Sequence, residues 1–135
     1  VGGFVRVSRK RQLPPDVHHW TGFKACSHDA RLVYLLLYTI ADDEGRMRED
    51  PGLLAYELFP GESGFGLKIE ACLREIEHNG LIGRYDVRSF RYIVILDWNT
   101  QAVSHPTPSK LPAPPESRLL PFDELSAARA RREQR

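Results

Sequence analysis

From Leu32 to Ile40 every residue except Thr39 is apolar or aromatic, which predicts a helix that is apolar nearly all round. A helix of that kind sits in the middle of a fold rather than on its rim. It is flanked closely by Arg31 and Asp42 and falls well short of the roughly 20 apolar residues that span a bilayer. It therefore reads as the core helix of a small soluble domain. Ser27 supplies its N-cap, Asp29 sits in its first turn where a carboxylate favours the helix dipole, and the helix runs to about Ala41. A second helix, Pro51 to Phe59, starts at Asp50-Pro51, a cap followed by proline at the first helical position, and stops at Pro60-Gly61. A third, Leu67 to Asn79, repeats Ile69, Cys72, Leu73 and Ile76 at i, i+3, i+4 and i+7 and ends at Asn79-Gly80. Glu70 and Arg74 form a favourable i,i+4 pair on it. Ahead of the core helix, Asp16 to Cys26 reads as a short irregular helix laying Trp20 and Phe23 on the core.

The period then changes from helical to alternating. Arg46-Met47-Arg48 is a short basic strand, and Leu81–Asp86 and Phe90–Trp98 are two strands joined at Val87-Arg88-Ser89. Helix, short strand, helix, turn, helix, hairpin is the order of a winged helix-turn-helix. The predicted class is α+β, with three core helices and a small three-stranded antiparallel sheet. Residues 1–15 form a flexible basic arm and 16–99 the winged-helix domain. Residues 100–122 form a proline-rich tail, with five of the ten prolines between Pro106 and Pro115 in an unpacked, polyproline-like segment. Residues 123–135, rich in Ala and Arg, form a short basic helix.

Charge sharpens this picture. The net charge of +1 hides basic ends around an acidic middle. Residues 1–25 hold five Lys/Arg against one Asp, residues 26–99 eight against thirteen acids, and residues 100–135 six against four. Basic arms suggest a polyanion partner, whereas the acidic middle argues against simple coating of nucleic acid. The two cysteines, Cys26 and Cys72, make no disulfide framework, so a reduced, cytoplasmic setting is expected. No secretory leader is apparent.

Candidate chemistry is sparse. His18, His19, Cys26 and His28 fit none of the paired zinc-ligand spacings, and packing or surface roles suit them better. Asp42-Asp43-Glu44 could be an acidic cluster. A tight turn closed by left-handed Gly45, with the acids matched by Arg46, Arg48 or a helix N-terminus, accounts for it more simply. Pro60 to Gly66 is a flexible turn, neither a phosphate loop nor a nucleophile elbow. No catalytic order, metal spacing or cofactor motif emerges, so an enzyme is not expected, and neither a cofactor nor a metal is implied.

Ala30-Arg31-Leu32 leading into Ile40-Ala41-Asp42-Asp43-Glu44-Gly45-Arg46, then Asp50-Pro51, Leu58-Phe59-Pro60 and Asn79-Gly80-Leu81-Ile82 with Arg84-Tyr85, resemble the winged-helix domain of phage and prophage replication proteins, the replisome-organiser or replication-initiator type. The likeness continues into Asp97-Trp98-Asn99-Thr100-Gln101 and Pro106-Thr107-Pro108-Ser109-Lys110-Leu111-Pro112, and covers about residues 20–115. Thr100 stands where the family usually has histidine, and Arg88-Ser89 where it has an Asp-Gly-like turn. The basic-apolar start is only loosely echoed by Val5-Arg6-Val7 and Trp20. Larger members continue into further domains, and 135 residues leave no room for an ATPase or helicase.

The resemblance implies a non-enzymatic, double-stranded DNA-binding protein acting in replication initiation or its control inside a bacterial host cell. Lys68 and Arg74 would then face the groove from the third helix, and Arg84, Arg88 and Arg91 would be wing contacts. Arg9, Lys10 and Arg11 would form an arm along phosphates or in the minor groove. Glu70, Glu75 and Glu77 would repel phosphate from the same third helix unless they face away. Two other readings are a winged-helix adaptor that binds replisome or host proteins through the proline-rich tail, and a phage transcriptional regulator. No membrane partner is expected, and the sequence leaves monomer or homodimer open.

Overall fold

The computed structural model describes residues 9–98, 101 and 105–115. The expectations for Val5-Arg6-Val7, Asn99-Thr100 and the 123–135 helix lie outside the described residues. The chain is α+β. A 3-10 turn at Val17–His19 leads into α1 (Thr21–Ala25), α2 (His28–Ile40), β1 (Arg46–Arg48), α3 (Pro51–Leu58), α4 (Gly66–His78), β2 (Ile82–Val87) and β3 (Phe90–Ile95). The three strands form one antiparallel sheet in the order β1-β3-β2.

Local signals set the helix ends. Ser27 Oγ accepts from the Ala30 N–H at 3.2 Å, and Asp50 Oδ1 from the Leu53 N–H at 3.2 Å, with Pro51 opening α3. Such caps are worth about 1 kcal/mol each. α2 runs through the middle of the core, burying Ala30, Val33, Tyr34, Leu37 and Tyr38. The Tyr34 and Tyr38 hydroxyls lie 2.8 Å apart, so their polar ends are paired inside the apolar cluster. α4 lays Ile69, Cys72, Leu73 and Ile76 against it. The Pro60–Gly66 stretch is more ordered than a flexible turn. Phe65 is buried, and its ring stacks on Phe59 at 3.7 Å, clasping the α3–α4 connection.

The sheet has two unlike faces. Met47, Ile82, Ile93 and Ile95 are buried in the core with the helices, while Arg46, Arg48, Tyr85, Tyr92 and Val94 occupy the opposite face by alternation and register. β3 ends at Ile95 rather than Trp98, which frees the Trp98 ring to pack over the turn at Gly45.

The β2–β3 turn is tight. Val87 pairs with Phe90, so Arg88 and Ser89 form a two-residue loop, and both have positive φ, 52° and 70°. Type I′ hairpins demand this, and residues other than Gly, Asn or Asp adopt it at a cost of about 1–2 kcal/mol. Ser89→Gly removes that cost and gives back part of it as unfolded-state entropy. The expected result is a gain of about 0.5–1 kcal/mol, read as a higher midpoint in urea unfolding with an unchanged slope.

Candidate nucleic-acid interface

Helical geometry divides α4 into an inner stripe, an outward crest and two flanks. The crest carries Leu67, Ala71, Arg74 and His78, all exposed. Lys68 and Glu75 lie on the flank beside α2, Glu70 and Glu77 on the flank beside the sheet. Each glutamate is engaged. Glu75 Oε1 accepts from the Ser27 hydroxyl at 2.9 Å, and its other oxygen accepts from the Ser27 N–H, tying α4 to the cap of α2. Glu70 accepts from Arg84 Nη2 at 2.8 and 3.0 Å, and Glu77 lies 3.6 Å from Arg84 Nη1. The two basic side chains remain in solvent. Lys68 and Arg74 are 61% and 72% exposed, in loose pairs at 3.8 Å with Asp29 and Glu70 respectively.

Arg84 is not a wing contact. It shares a sheet face with Ile82, pointing inward, and is 7% exposed. Its Nε and Nη2 make a bidentate pair with Glu49, both at 2.7 Å, and Glu49 is 1% exposed. Those hydrogen bonds raise the guanidinium pKa against the opposing effect of burial. Burial pushes the Glu70 carboxyl up, but Arg84 more than offsets it and the net shift is down, whereas for Glu77 burial prevails and the shift is up. Arg91 joins from the rim, 3.2 Å from Glu49 and 3.7 Å from Asp86, and is half exposed. The network thus gathers Arg74, Arg84 and Arg91 with Glu49, Glu70, Glu77 and Asp86, and presents no excess of positive charge.

At the hairpin tip Arg88 is exposed, and the Arg48 guanidinium lies 4.8 Å over the half-exposed ring of Phe90. Arg48 was missing from the residues expected at the interface. The signal for it was the alternation of Arg46-Met47-Arg48, which turns both arginines away from a buried Met47.

The basic arm divides. Lys10 is exposed, whereas Arg9 and Arg11 meet Asp43 at 3.2 and 3.0 Å. Arg11 also donates to Ala41 O at 3.0 Å and stacks 5.0 Å over Trp98. Gln12 and Gln101 exchange hydrogen bonds at 3.0 and 2.5 Å. Residues 9–12 are therefore fastened to the folded chain; the Arg11 side chain is largely buried away from solvent, and Arg9, although 41% exposed, is engaged by Asp43.

The acidic turn is what fastens them. Asp42 Oδ1 accepts from the Glu44 and Arg46 N–H groups at 3.0 Å, which shapes the turn, and Gly45 closes it at φ +80°. Asp43 and Glu44 take the Thr107 and Ser109 N–H groups at 2.8 and 2.6 Å. The Thr107 N–H foremost, then Arg11 and Arg9, hold the Asp43 carboxyl below the usual range against the effect of burial. The acids are thus matched by the arm, the tail and a 3.6 Å Glu44–Arg46 contact, not by Arg48 or a helix N-terminus. The proline-rich segment, expected to be unpacked, is held along residues 105–112.

Among the described residues, no three of His, Cys, Asp and Glu are gathered as a metal-ligating group, and no helix is long and apolar enough to cross a membrane. Cys26 and Cys72 are buried, and burial pushes the Cys26 thiol up to about 11, which keeps it from reacting as a thiolate. No family model matches the chain, and no curated protein or solved structure matches it.

Proposed function

We propose that this chain is a winged-helix protein that binds double-stranded DNA, acting in phage or prophage replication initiation or its control. The crest of α4 enters the major groove and the β2–β3 hairpin lies along the backbone. The element order and the β1-β3-β2 sheet with α3 and α4 joined by a short connection support the winged-helix reading. The observation that carries the DNA reading is the engagement of Glu70, Glu75 and Glu77 by Arg84 and Ser27, which leaves the α4 crest to Leu67, Ala71, Arg74 and His78. The contact set is Lys68, Arg74, Arg88 and Arg91, with Arg48 added at the wing and Lys10 alone retained from the arm. The replication role rests on the sequence resemblance.

Binding to a duplex should weaken on the order of a hundredfold or more between about 50 and 200 mM salt, as expected for four or five phosphate contacts. Ala71→Glu places a carboxylate in the middle of the crest at little cost to helix propensity, and should lower affinity at least about tenfold with the fold intact. Fluorescence anisotropy on a labelled duplex reads both. Salt-insensitive binding that ignores Ala71→Glu would favour the adaptor reading instead.

A further inference from the structure

The outer face of the sheet is covered by the chain itself. Tyr85 and Tyr92 lie on the face opposite Ile82, Ile93 and Ile95, yet they are only 4% and 8% exposed, with ring centroids 5.5 Å apart. The segment 105–112 runs from the acidic turn across this face. Its hold is mostly through the main chain. Asp43 and Glu44 accept from the N–H groups of Thr107 and Ser109, Arg46 Nη1 donates to Leu111 O at 3.1 Å, and the Tyr85 hydroxyl donates to Pro112 O at 2.9 Å. Arg9 Nη2 reaches His105 O and Thr107 Oγ1 at 3.4 Å, and the Ser109 hydroxyl donates to Asp42 Oδ2.

This pattern selects a sequence. Prolines stand at 106, 108 and 112, and the N–H groups captured by carboxylates belong to the intervening 107 and 109. A proline moved by one place would remove a required donor. Stacked tyrosines with a hydroxyl aimed at a proline carbonyl form the kind of surface on which extended proline-rich segments are recognised.

We propose that the Asp42–Arg46 turn, with Tyr85 and Tyr92, is a recognition site for an extended Thr-Pro-Ser-Lys-Leu-Pro segment, filled in cis by residues 105–112 and open to the same segment from a second copy of this chain. The occupant seen is the chain's own. Only residues 99–104 connect it to Trp98, and exchanging identical segments between copies keeps every contact of residues 105–112 while altering that connection, in which Gln101 is bonded to Gln12. The hydrogen bond from the Ser109 N–H to Glu44 lies at the exposed surface, where local opening is least costly. The site is independent of the α4 crest, so it stands whether or not the DNA reading does.

Two full-length variants test it. Thr107→Pro with Ser109→Pro removes both donors and disables the tail, while Asp43→Lys with Glu44→Lys disables the site. Each alone should stay monomeric in light scattering, and their mixture should form a one-to-one heterodimer, the first chain's site holding the second chain's tail. Only monomers in the mixture, with both variants keeping native circular dichroism, would overturn the proposal. Should the lysine variant fail to fold, a labelled peptide of residues 105–115 added to the tail-disabled chain gives the same reading. Saturable binding, lost at least about tenfold when the peptide carries the two prolines, supports the site, and no binding overturns it.

Discussion

Arg84→Ala is expected to lower stability by about 3–5 kcal/mol, the usual result of removing one partner from a buried ion pair. The loss arises because Glu49 stays behind, 1% exposed, with Arg91 at 3.2 Å as its remaining guanidinium partner. Glu70 and Glu77 would at the same time lose the cation that turns them from the crest of α4. Arg84→Lys should recover only part of the loss, since an ammonium cannot reproduce the two parallel 2.7 Å hydrogen bonds to Glu49. Urea unfolding followed by circular dichroism gives the values, with Lys68→Ala as the surface control, expected within about 0.5 kcal/mol of wild type. A loss for Arg84→Ala as small as that of the control would mean that water screens the network, and Arg84 would return to the list of wing residues.

Gly45→Ala should cost about 2–5 kcal/mol. Two terms add. The φ of +80° lies in the left-handed region, at about 1–2 kcal/mol for a residue with a Cβ, and that Cβ would stand 2.7 Å from Trp98 Cγ and 2.8 Å from Cδ2. Pushing the ring aside adds about 1–3 kcal/mol of overpacking strain. It would also disturb the Trp98 Nε1–H bond to Asp43 O at 2.7 Å and the Arg11 guanidinium stacked on the ring. Gly61→Ala is the control, because φ is +83° there and nothing lies within 4 Å of the added Cβ. The difference between the two midpoints isolates the contact with Trp98, and equal losses would show that the ring yields freely. Trp98 fluorescence should shift in the first variant and not in the second.

The elements were legible because their signals are local. Ser27 and Asp50 as caps, the Ile69–Ile76 stripe and the left-handed Gly45 each depend on residues within a turn or two. The strand parity of Arg84 with Ile82 was legible too, yet three arginines near a hairpin tip read more naturally as surface charge than as one buried and two exposed. What finally placed Arg84 was Glu49, 35 residues away, and no local pattern announces a partner at that separation. The same holds for the acidic turn, whose ligands come from residues 9–11 on one side and 107–109 on the other. Proline content marked residues 106–115 as polyproline-like, and they form neither helix nor strand, but composition says nothing about which carboxylates collect the N–H groups between the prolines. Of the candidate interface, Lys68, Arg74 and Arg88 are exposed as the sequence reading required, while Arg48, whose outward parity the alternation around Met47 carried, is brought beside Phe90 by the register of β1 against β3.

The carboxylates of α4 also act as stays on a mast. Glu75 is made fast to the start of α2 on one side, and Glu70 and Glu77 to Arg84 of the sheet on the other. Rolling the helix about its axis in either direction would slacken one set and strain the other. The crest bearing Ala71 and Arg74 is therefore held at a fixed rotational phase, and under the proposed DNA-binding function docking it would require little further ordering of the backbone.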